Sequence, residues 1–147
     1  MNNDIVIGKF TLESLTNGMY SSPKDLYREY IQNAVDSIDT AIDSKVIMEE
    51  DAIIRITVNS NERQIRIKDN GMGIPQNLAA KLLLDIGNSS KSRRSNRGFR
   101  GIGRLAGLGY CDELIFTTSY IGEKKKTVIT FDAAKLKWLL RQPNDDN

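Results

Sequence analysis

The run Asp69-Asn70-Gly71-Met72-Gly73-Ile74-Pro75 combines a carboxylate with two glycines placed two apart. Such glycines let a backbone turn sharply and approach a ligand closely, and a carboxylate just before them can accept from a donor such as an exocyclic amine. The plainer reading is a strand-to-helix turn with Asp69 as a cap. A second run, Gly98-Phe99-Arg100-Gly101-Ile102-Gly103-Arg104, opens a predicted helix. Backbone N–H groups made accessible there by glycines can hold a phosphate. Lys91, Arg93, Arg94, Arg97, Arg100 and Arg104 surround it with no acidic residue between. A loop of this kind could also bind nucleic acid or merely aid solubility, although Phe99, its one aromatic, serves base stacking poorly. No Gly-Lys-Ser/Thr follows the glycines, so it is not a P-loop, and no clear strand feeds a dinucleotide-type turn. A third group, Glu29, Asn33 and Asp36, falls within about 60° on a helix, so one face carries all three. Taken alone, that trio reads as a solvated helix face.

These residues need elements to hold them. Ser22-Pro23-Lys24-Asp25 reads as a helix start: Ser22 can cap, Pro23 suits the first position, and Asp25 sits where a capping-box carboxylate belongs. The helix is predicted to run to about Asp43. Leu26, Tyr27, Tyr30, Ile31, Ala34, Val35, Ile38 and Ile42 form one apolar stripe opposite the polar trio. Ahead of it, Ile5 to Ile7 is an expected edge strand, and Phe10 to Met19 carries a loose helical pattern closed by Asn17-Gly18. Ala52 to Asn59 and Gln64 to Lys68 alternate apolar and polar residues around Ser60-Asn61-Glu62, the pattern of an antiparallel hairpin. Leu78 to Ile86 marks a short helix ending near Gly87, and a helix is expected from Ile102 to Leu108. Glu113 to Tyr120 and Thr127 to Asp132 are predicted strands around Gly122-Glu123-Lys124. A last helix spans Ala133 to Arg141, and residues 142–147 read as a disordered polar tail. Tight turns between neighbouring strands imply an antiparallel or mixed sheet with helices on one face.

Composition narrows the chemistry. The 147 residues suit one domain, and 39% hydrophobic with 27% charged residues is ordinary for a globular chain. Lys plus Arg is 21 and Asp plus Glu 19, a net charge of +2 that points to no partner. The absence of histidine removes His-based general bases, Ser-His and Cys-His triads, and the commonest zinc ligand sets. One cysteine, Cys111, rules out an intramolecular disulfide and suits a reducing compartment. No apolar run approaches the roughly 20 residues of a membrane span, and no signal-peptide core is present, so a cytoplasmic location is expected.

The order and spacing of the three groups resemble the GHKL ATPase superfamily, which includes gyrase B, the MutL repair proteins, histidine kinases and the ninety-kilodalton heat-shock chaperones. The stretch from Leu26 to Asp36 looks like its first motif, Asp69 to Gly73 like its second, and Gly98 to Gly103 like its third, the glycine lid. The resemblance covers roughly Phe10 to Asp132. Phe10 to Ser22, leading straight into the motif helix, is most similar to the heat-shock-chaperone branch, whereas Ser89-Ser90-Lys91 is more like the MutL and MORC branches.

The resemblance implies the Bergerat fold, an α/β two-layer sandwich with a mixed, mostly antiparallel sheet and helices on one face, and ATP between the layers. Carried over, Glu29 is the general base, Asn33 a Mg²⁺ ligand, and Asp36 a supporting group near the nucleotide. Asp69 accepts from the adenine amine, with Gly71 and Gly73 beside it. Lys91, Gly98, Gly101 and Gly103 close over the phosphates. The cofactors implied are ATP and Mg²⁺. The function implied is that of an ATP-binding domain in a chaperone-like ATPase, with nucleotide-driven closure joining a homodimer of the full-length protein and no membrane partner; it leaves a client protein or nucleic acid unspecified. The alternatives are a histidine-kinase catalytic domain and a nucleic-acid-associated MutL- or MORC-like module. One departure stands out: the family's later threonine-bearing strand has no counterpart, since Thr117, Thr118 and Thr127 lie too early. Residues 1–147 are therefore expected to be a single domain from a longer chain, binding ATP with weak turnover or none.

Overall fold

The computed structural model describes residues 22–84 and 103–141. The edge strand expected at Ile5–Ile7, the helix at Phe10–Met19, the basic loop through Lys91, Gly98 and Gly101, and the polar tail lie outside the described residues.

Helix α1 spans Pro23–Asp43. Ser22 is extended at φ −140°, ψ 136°, and its hydroxyl accepts from the Lys24 N–H at 3.3 Å, with Pro23 supplying a fixed φ at the first helical position. The Asp25 carboxylate, expected to complete a capping box, lies 3.8 Å from Arg28. The far end closes through Lys45, left-handed at φ 57°, with Lys45 N–H donating to Ile42 and Val46 N–H to Ala41. That is the paired pattern of a Schellman ending, built here without glycine. The buried stripe, Leu26, Ala34, Ile38 and Ala41, is narrower than the apolar pattern, and Ile31 and Val35 are only half-buried. Asn33 consequently borders the buried face, whereas the sequence placed it opposite.

Strands β1 (Ile54–Asn59) and β2 (Gln64–Asp69) form an antiparallel hairpin with Ile56 opposite Ile67 and Val58 opposite Ile65. One face therefore carries Ile54, Ile56, Val58, Ile65 and Ile67, and the other Arg55, Thr57, Arg66 and Lys68. Helix α1 packs on this hairpin, mainly on β2. Helix α2 (Gln76–Leu84) follows directly and buries Ala79 and Leu83.

A 3-10 helix occupies Gly103–Gly109, where an ordinary helix was expected. Three glycines in seven residues weaken the α-helical alternative. Strands β3 (Glu113–Thr118) and β4 (Thr127–Asp132) form a second antiparallel hairpin, and helix α3 (Ala133–Arg141) closes the described chain. Leu105, Leu108, Phe131 and Ala133 make a core cluster, with Cys111, Leu114, Phe116, Ile129 and Leu136 packed against it. Burial pushes the Cys111 thiol pKa above its ordinary value. Among the described residues the strands form two separate two-stranded sheets, so the helices and antiparallel strands of an α/β sandwich are present while a continuous mixed sheet is not.

Candidate functional site

The glycine turn after β2 is held on three sides. Asn70 clips it to the segment before β1: its Oδ1 accepts from the Ile53 N–H at 2.9 Å, and its Nδ2 donates to the Asp51 carbonyl at 2.8 Å. Ser37 of α1 holds it from below, because the Met72 N–H donates to the Ser37 carbonyl at 3.0 Å and the Gly73 N–H to the Ser37 hydroxyl at 3.4 Å. Thr118, at the end of β3, accepts from the Ile74 N–H at 2.9 Å. Both glycines are required where they stand. A Cβ on Gly71 would strike the Ser37 hydroxyl, and one on Gly73, which has φ +69°, would strike the Ser119 carbonyl oxygen.

Asp69 closes the turn from within, its Oδ1 accepting from the Gly71 N–H at 2.9 Å. A carboxylate has about four lone-pair sites, so that one bond leaves acceptor capacity for a ligand donor. Asp69 is half-buried.

A second hold lies one helical stretch earlier. The Tyr30 hydroxyl donates to the Arg104 carbonyl at 2.8 Å and accepts from the Gly107 N–H at 3.0 Å, fastening the 3-10 helix to α1. Tyr30, Asn33 and Ser37 are spaced i, i+3, i+7, so they share one side of α1, with the two holds about 10 Å apart along its axis. Between them sits Asn33, whose Nδ2 is buried without a hydrogen-bond partner among the described residues. A buried amide nitrogen left unpaired is costly. A side-chain amide can also turn over without changing shape, so this position can present either N–H or C=O. Arg104, at the edge of the same region, has its pKa lowered by burial, and a guanidinium remains charged at neutral pH. Such a partly desolvated cation attracts an anion more strongly than a solvated one does.

Of the residues singled out in the sequence, Glu29 and Asn33 lie half-buried on α1, one helical turn apart. Asp36 is also half-buried and accepts from Gln32 Nε2 at 3.0 Å. Asp69, Gly71 and Gly73 form the turn, and Gly103 begins the 3-10 helix. Lys91, Gly98 and Gly101 lie outside the described residues. Sequence reasoning did not name Ser37, gave Asn70 no role of its own within its motif, and read Glu123 only as a turn residue. It counted Tyr30 as core and set Thr118 aside as lying too early, although Thr118 reaches the glycine turn. Tyr30 did carry a signal: a buried tyrosine hydroxyl needs a partner. Glu123 carried none, yet its carboxylate accepts from the Gln76 N–H at 3.0 and 3.2 Å and so caps α2 from the turn between β3 and β4.

Among the described residues no three His, Cys, Asp or Glu side chains come together as a metal cage, and no helix is long and apolar enough to cross a membrane. Residues 20–145 match the family described as histidine kinase-, DNA gyrase B-, and HSP90-like ATPase. The chain is also similar to the chaperone protein HtpG of Halalkalibacterium halodurans, 29% identical with 79% of this chain and 21% of the relative covered. HtpG of Buchnera aphidicola is 27% identical, with 80% and 22% covered, and HtpG of Chlorobium phaeobacteroides 32% identical, with 57% and 14% covered. The chain thus spans about a fifth of the length of the first two relatives.

Proposed function

This chain belongs to the histidine kinase-, DNA gyrase B- and HSP90-like ATPase family, and from that premise we propose that it is the Mg-ATP-binding domain of a cytoplasmic, chaperone-like ATPase. The observation that carries the reading is the convergence on one side of α1. Ser37 holds the glycine turn, Tyr30 holds the element that begins at Gly103, and between them lies Asn33, its Nδ2 without a partner among the described residues. The relatives carry the chaperone's name, which favours that branch over a histidine kinase or a MutL- or MORC-like module.

Within this reading Asp69 accepts from the adenine amine, with Gly71 and Gly73 admitting the base close to the backbone. Asn33 would hold Mg²⁺ through its amide oxygen, a hard ligand for a hard cation. When bound, the cation neutralises phosphate charge. Glu29 orients a water as general base, the role a carboxylate takes in a chain without histidine, and Asp36 supports the helix face. Lys91, Gly98, Gly101 and Gly103 enclose the phosphates. In the longer protein, closure around nucleotide drives association of two copies.

Calorimetric titration of ATP with Mg²⁺, and of GTP as control, tests the reading. Saturable binding that prefers adenine and strengthens with magnesium is expected. Asp69→Asn keeps an acceptor for Gly71 but replaces the other oxygen with an N–H donor facing the adenine amine, so ATP binding should be lost. Glu29→Ala should leave binding intact and remove whatever hydrolysis the longer protein shows. Equal binding of ATP and GTP would refute the assignment of Asp69.

A further inference from the structure

The apolar pattern of α1 accounts for the ring of Tyr30, which packs edge-on to Phe116 with centroids 6.4 Å apart and planes at 62°. It does not account for the hydroxyl. That one oxygen reaches both the Arg104 carbonyl and the Gly107 N–H, the pair that a turn of 3-10 helix would join to each other. Position 107 is shaped for the approach, since a Cβ there would lie 2.6 Å from the Tyr30 hydroxyl and 3.1 Å from Leu114 Cδ1. Phenylalanine would fill the same ring space and make neither bond.

We propose that Tyr30 is a positioning residue whose hydroxyl fixes the 3-10 helix, and with it the phosphate side of the nucleotide site, against the face bearing Glu29 and Asn33. The inference rests on the nucleotide reading above. The adenine side is held separately, by Ser37, Asn70 and Thr118 on the glycine turn, and none of these contacts passes through Tyr30. Loss of the hydroxyl therefore acts on ligands according to their phosphates. Two part-buried hydrogen bonds support an effect on ATP of about tenfold, while adenosine, which has no phosphate, is left within about twofold.

The experiment compares wild type and Tyr30→Phe by titration with Mg-ATP and with adenosine, and measures amide exchange at Gly107. Faster exchange at Gly107, a tenfold loss for ATP and an unchanged adenosine affinity are expected. Equal losses for both ligands would reduce Tyr30 to a structural role, and faster exchange with unchanged ATP affinity would overturn the proposal while leaving the nucleotide site standing. A wild-type chain that binds neither ligand overturns the nucleotide reading and the proposal with it. If Tyr30→Phe does not fold, Gly107→Ala displaces the same hydroxyl from the other side and should show the same phosphate-dependent loss. An equal loss for both ligands in that variant would also overturn the proposal.

Discussion

The two hairpins have strands of equal length but end in different surroundings: β1–β2 alternates apolar and polar residues, whereas β3–β4 carries apolar residues on both faces, with Ile115 and Val128 on the exposed one. In β3–β4 the apolar side faces a core: Phe131 is 8% exposed and joins Leu105, Leu108 and Ala133. In β1–β2 the corresponding side reaches past α1, leaving Ile56 53%, Val58 66% and Ile65 45% exposed. Besides the packing of α1 on β2, the first hairpin is fixed by a set of hydrogen bonds from its exit turn to α1, β3 and the segment before β1. Alternation in a sequence therefore tells which side of a strand is apolar and leaves open how completely it is covered. The second hairpin buries more of its apolar surface, and the first relies more on directed bonds from its exit turn.

The largest test of that contrast is Phe131→Ala, which should cost about 3–5 kcal/mol in urea denaturation by opening the core. Next comes Gly73→Ala, at the junction between the two regions. A left-handed backbone and a clash with the Ser119 carbonyl together should cost about 2 kcal/mol or more in the same measurement. Asn70→Ala attacks the first region through its polar clip, leaving the Ile53 N–H and the Asp51 carbonyl without that partner; about 1–2 kcal/mol is expected, smaller because both sites are exposed to water. Val58→Ala should change stability by less than about 0.5 kcal/mol. A loss at Val58 comparable to that at Phe131 would erase the distinction between the hairpins.

Local pattern made much of this fold legible. The Ser22 cap, Pro23, the end of α1 at Asp43, the β1–β2 turn and α3 all follow from residues within a few positions of one another, and the structure has them where the sequence places them. The 3-10 winding of Gly103–Gly109 was not legible, because the side chain that engages it, Tyr30, lies 74 to 77 residues away in sequence. The same holds for Thr118 and Ile74, 44 residues apart, and for Glu123 and Gln76, 47 apart. Periodicity reports which side of an element is apolar; it contains no information about a hydroxyl or carboxylate reaching a backbone group on a distant element. The candidate residues follow from motifs that resemble a family's, whereas the side chains that hold the glycine turn and the 3-10 helix in place could not be read from local pattern.

The two holds on α1 also differ in when they can first exist. The Ser37–Gly73 bond spans 36 residues, and the Tyr30–Gly107 bond spans 77. A chain synthesised at about 5–20 residues per second presents Gly73 roughly 2–7 s before Gly107. During that interval α1 and the first hairpin can already dock while the tyrosine hydroxyl waits for its partners. The glycine turn is thus able to dock on the nascent chain first, and the 3-10 helix is added to a helix already anchored at one end.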